Sequence, residues 1–163
     1  MNIKMKLGQL ALVVGGMLPG YAVMAATATG TLNATATIVA NCEFTAGNAT
    51  LPFCVLTVTD LANGKFQTTP ATVNITCTNS GTAAKLYGAA VRQMTGSASG
   101  VVTYEVYTDS SHTLPLGSTL AAGVVIPADG TQQSVLLYGK TTANQGTKPT
   151  GAYSQALALT VEF

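Results

Sequence analysis

Few residues in this chain could do covalent chemistry. The single histidine, His112, follows Asp109-Ser110-Ser111, so four neighbours supply the residue types of a hydrolytic triad. Adjacent residues in one turn cannot converge on a substrate carbonyl, and His112 is expected to be a solvated loop residue. No cluster of His, Cys, Asp or Glu has metal-ligand spacing. The glycines are isolated and do not form a phosphate-cradling loop. The chain is therefore read as having no catalytic residues, no metal site and no cofactor. Asn33-Ala34-Thr35, Asn48-Ala49-Thr50 and Asn74-Ile75-Thr76 match the glycosylation sequon, but such matches arise by chance in a chain so rich in threonine.

The cysteines carry the remaining chemistry. Cys42 opens one strand-like segment and Cys77 closes another, Ala71-Thr72-Val73-Asn74-Ile75-Thr76-Cys77. A bridge between them would close a loop of about 35 residues and contribute about 3–4 kcal/mol. The odd count leaves Cys54 over. It follows Leu51-Pro52-Phe53, where a glycine-like turn is expected. Cys54 is read as a buried free thiol, with an intermolecular bridge as the alternative.

Export makes such a disulfide plausible, and the first 25 residues supply the means. Lys4 and Lys6 precede an apolar run from Leu7 to Met17, then Pro19-Gly20, then Val23-Met24-Ala25. This pattern is a secretory signal cleaved after Ala25; its apolar run is about half the ~20 residues that span a bilayer. The mature chain then has five basic and six acidic residues, for a net charge of −1, and 26 threonines. Only 8% of the whole chain is charged. That excludes nucleic-acid binding driven by phosphate neutralisation, and 47% apolar residues argue against disorder. A near-neutral, threonine-covered surface suits a subunit packed against its own copies.

The elements that position these residues read as strands. Apolar residues alternate, and Gly, Pro, Asn and Thr recur every few positions. Strands are expected over 27–39, 42–53, 70–78, 85–94, 101–108, 132–139 and 152–163, separated by turn clusters such as Ala62-Asn63-Gly64 and Asn79-Ser80-Gly81. Seven short, evenly spaced strands across the mature chain predict an all-β sandwich, with residues 40–163 as its domain.

Two strands stand out. Residues 26–38 alternate without a break: Ala26, Ala28, Gly30, Leu32, Ala34, Ala36 and Ile38 on one face, threonines and Asn33 on the other. That is a strand with one buried and one wet face, and its small buried face suits a narrow groove. At the other end Tyr153, Gln155, Leu157, Leu159, Val161 and Phe163 alternate with Ser154, Ala156, Ala158, Thr160 and Glu162. So apolar an ending must be tied into a sheet or held along a strand edge.

These residues carry a family resemblance. Asn41-Cys42, Val73-Asn74-Ile75-Thr76-Cys77-Thr78, Tyr104-Glu105-Val106-Tyr107-Thr108-Asp109 and Gly151-Ala152-Tyr153 with Leu157–Phe163 resemble archaic (Csu-type) chaperone–usher pilus subunits, the spore coat protein U domain. Cys54 departs from the pattern, standing where the family tends to have Gly. The resemblance implies an incomplete immunoglobulin-like β-sandwich completed by a donor strand from a neighbouring subunit. On that mapping residues 26–39 are the donor-strand extension, with Ala28, Gly30, Leu32, Ala34, Ala36 and Ile38 filling a neighbour's groove. Tyr153, Leu157, Leu159, Val161 and Phe163 would line the acceptor groove and zip first to a chaperone. The implied partners are copies of itself or related pilins, a periplasmic chaperone and an outer-membrane usher. The implied product is a cell-surface fimbrium for attachment and biofilm formation. The competing reading is a secreted, self-contained β-sandwich that acts as a binding or coat module; an exported enzyme is a distant third.

Overall fold

The computed structural model describes residues 28–45, 49–96 and 98–163. The expected signal peptide, residues 1–25, lies outside them. The chain divides between Ala36 and Thr37. Residues 28–36 form no regular secondary structure and are exposed, Leu32 to 96%. The strand expected over 27–39 is therefore not formed in the single chain. A strand needs a partner for its N–H and C=O groups, and among the described residues no such pairing is made.

The body is all-β, with nine strands in two sheets among the described residues. The strands are β1 (Cys42–Phe44), β2 (Ala71–Cys77), β3 (Ala84–Gly88), β4 (Gln93–Gly96), β5 (Val101–Tyr107), β6 (Val124–Ile126), β7 (Gln132–Thr141), β8 (Tyr153–Ser154) and β9 (Leu159–Glu162). The larger sheet runs β1-β2-β7-β5-β4-β8 and the smaller β6-β3-β9. Every pairing is antiparallel. Alternation sets the inner faces. Ala71, Val73, Ile75 and Cys77 of β2 are buried, and so are Val102, Tyr104 and Val106 of β5. All of these but Val102 meet Ala84 and Leu86 of β3 and Ile126 of β6 in one core. Cys42 and Cys77 pair across β1 and β2 and form the disulfide.

Three expectations need correction. The strand expected over 42–53 stops at Phe44. Those over 85–94 and 152–163 each break in two: β3 and β9 lie in the small sheet, β4 and β8 in the large one. The two segments change sheets together. At the crossing the Gln93 N–H donates to Gln155 Oε1 at 2.7 Å, and Gln155 Nε2 donates to the Val91 carbonyl at 2.8 Å. Buried Arg92 secures the same place, donating to Glu105 Oε2 at 2.7 Å and to the Leu116 carbonyl at 2.6 Å. A one-turn-and-a-half helix, α1 (Val58–Asn63), also forms where no helix is expected. Thr57 and Asp60 cap it reciprocally: Asp60 N–H donates to Thr57 Oγ1, and Thr57 N–H to Asp60 Oδ2. The expected turn at Ala62-Asn63-Gly64 is the end of this helix, with Gly64 at φ 79°.

Candidate functional site: an open apolar groove

A furrow of about 1510 Å³ opens between the sheets. Its floor is core: Val73 of β2, Val102, Tyr104 and Val106 of β5, and Leu137 of β7. One wall is the segment after β1. Pro52 and the left-handed backbone of Cys54, at φ 54°, turn the chain so that Phe53 points inward. The Phe53 ring meets Tyr104 edge-on at 5.5 Å between centroids and lies over Gly139, where a Cβ would come within 2.7 Å of it. Leu61 of α1 extends this wall.

The facing wall is the segment that joins β8 to β9. Tyr153, Gln155, Leu157, Leu159 and Val161 are all half-buried, while the residues between them are exposed. Their alternation is that of a strand with a covered face, yet none is fully covered, because the furrow beside them is open. Tyr153, Leu157 and Leu159 border the furrow; Val161 packs on the core opposite Leu86, and Phe163 is exposed. β9 pairs with β3 along one edge, and among the described residues its other edge pairs with no strand. The Tyr153 hydroxyl donates to the Pro149 carbonyl at 2.7 Å, and its ring closes over Gly96 and Gly100.

The furrow is lined mainly by apolar side chains. Tyr104 is its buried titratable group, and burial pushes its hydroxyl up. The N-terminal residues Ala28, Gly30, Leu32, Ala34, Ala36 and Ile38 are all exposed, Ile38 to 86%.

Two residues differ from expectation. Cys54 is free but exposed at the edge of the furrow, because the turn that sends Phe53 inward sends it out. His112 is not solvated. Its ring is half-buried among Phe66, Tyr107 and Tyr138, with centroids 4.7, 5.2 and 5.9 Å away. Asp109 does not serve it: the carboxylate accepts from the Thr113 N–H at 3.0 Å and the Leu114 N–H at 2.7 Å. The residues missed in the sequence are those of the 49–61 wall. The capping pattern Thr57-x-x-Asp60 was the available sign of α1.

No curated protein matches the chain at a significant level. A family profile does, the Spore Coat Protein U domain, over residues 28–160. That span takes in the N-terminal segment, the disulfide, both walls of the furrow and the first half of β9, and by it the chain belongs to the Spore Coat Protein U domain family.

Proposed function

We propose that this chain is a structural pilin subunit that polymerises by donor-strand exchange into an archaic chaperone–usher fimbria serving surface attachment and biofilm formation. Spore Coat Protein U domains occur in chaperone–usher pilus subunits and in coat proteins, which supports a pilin-like role in general. The observation that carries the finer reading is the furrow: an apolar slot beside a strand edge, in a chain whose N-terminal segment alternates like a strand yet, among the described residues, joins no sheet. A neighbour's residues 26–38 would supply both the missing main-chain partner and the missing apolar face. Leu32 and Ile38 are the large side chains of that face, each worth about 1.5–3 kcal/mol on full burial. Before assembly a periplasmic chaperone would cover the same edge, and the outer-membrane usher would be where the exchange takes place.

The test is complementation in trans. Residues 39–163 are produced in an oxidising periplasm with and without a peptide of residues 26–38. The expected result is a domain that is unstable alone and is rescued by the peptide, but not by a peptide carrying Leu32→Asp. A truncated domain that melts cooperatively as a monomer and ignores the peptide would overturn the reading in favour of a self-contained binding or coat module.

A further inference from the structure

The junction between the N-terminal segment and the body carries a device of its own. Residues 37–41 belong with the body although all five are exposed. Among the described residues, what holds them is Thr78. Its N–H donates to the Asn41 carbonyl at 2.8 Å. Its Oγ1 accepts from the Asn41 N–H at 2.9 Å. The same hydroxyl lies 3.3 Å from the carbonyl oxygens of both Val39 and Asn41, where its proton is shared. Asn41 Nδ2 donates to Glu43 Oε1 at 3.2 Å. One position further in, Cys42 and Cys77 are covalently joined. The disulfide thus fixes one cross-strand pair, the 41/78 pair continues it, and one hydroxyl reaches two residues beyond.

We infer that Thr78 is a clamp that immobilises Val39-Ala40-Asn41 on the end of β2. The inference concerns this chain whatever the segment does. Its consequence for assembly rests on the polymer reading: residues 39–41 span at most about 10 Å, so a clamped Val39-Ala40-Asn41 makes the joint between consecutive copies short and stiff. Without the clamp the same three residues are a free hinge. Thr78 is a positioning residue, since it touches the linker and not the furrow.

The experiment uses the full chain with Thr78→Val, which keeps the β-branch and loses the hydroxyl, and Thr78→Ser, which keeps the hydroxyl. Amide hydrogen exchange at Asn41 is expected to speed up about fivefold to tenfold in Thr78→Val, the loss of one net hydrogen bond. Thr78→Ser should exchange as the unmodified chain does, and the amides of Ile75 and Thr76 should be unchanged in both. An Asn41 amide that exchanges equally in all three proteins would overturn the clamp. In electron micrographs, fibres of Thr78→Val should show a wider spread of angles between successive subunits than fibres of the unmodified chain or Thr78→Ser. An equal spread would overturn the stiff joint. If the unmodified chain forms no fibres, the polymer reading fails and takes the joint with it, while the exchange result still decides the clamp.

Discussion

Asp60, Asp109 and Asp129 each spend a carboxylate on a turn. Asp60 is held below the usual carboxylate range by the Thr57 N–H and hydroxyl. At Asp109 burial pushes upward, but the Leu114 and Thr113 donors outweigh it and the net shift is down. The Thr131 hydroxyl and N–H lower Asp129. A depressed folded value means a contribution that is complete above the unfolded pKa of about 3.9 and is lost as pH falls through the folded one. The melting temperature should therefore fall as pH drops below about 4. Asp109→Asn should melt lower than the unmodified chain at neutral pH and lose less on acidification; equal acid losses in the two proteins would contradict this. Cys54 makes a second prediction. Its backbone sits at φ 54°, a conformation that costs a non-glycine residue about 1–2 kcal/mol. Cys54→Gly should be neutral or raise stability by up to about 1 kcal/mol in urea unfolding, after glycine's own entropic cost. A clear loss would show that the thiol contributes contacts not seen here. The glycine-like turn was legible from Pro52-Phe53 and from the family's preference; the exposure of the thiol was not, because it depends on which side of the turn Phe53 occupies.

The alternation of the strands was readable, but their partners were not. Residues 153–161 keep one face inward across the change of sheet, so period two persists where the hydrogen-bonding partner switches from β4 to β3. Period two reports which side is covered and nothing about which strand lies alongside. The same limit concealed the break between β3 and β4, which depends on the side chains of Gln155 and Arg92 finding backbone partners far away in sequence. At Gly139 the Phe53 ring lies directly on β7. Gly139→Ala would bring a Cβ within 2.7 Å of Phe53 and 2.9 Å of Leu51. Since both side chains form the furrow wall, the cost should be about 1–3 kcal/mol, where alanine in an open strand would be a gain. Denaturant unfolding distinguishes the two signs.

In the molecule as a whole, the β-sandwich was legible because strand signals recur at even spacing and the apolar residues are enough for one core. Of the furrow, the 153–159 wall was implied by the family resemblance, but the 49–61 wall was not legible, because only the fold brings it face to face with the other. The disulfide was legible as a pairing of two strand ends. Reducing it should lower the free energy of unfolding by about 3–4 kcal/mol, read as a shift in the urea midpoint between oxidised and reduced chain. A midpoint that does not move would mean that β1 is held by other contacts.

The small sheet also dictates an order of events in time. Its central strand, β3, is flanked by β6 and β9, and the Tyr87 hydroxyl meets Glu162 across 75 residues of chain. A growing polypeptide that has delivered everything up to β7 still lacks the strand that closes this sheet. Pairings so distant in sequence form late and slowly. Until residues 159–162 are in place, β3 lacks one of its two partners, and the small sheet closes only when the end of the chain arrives.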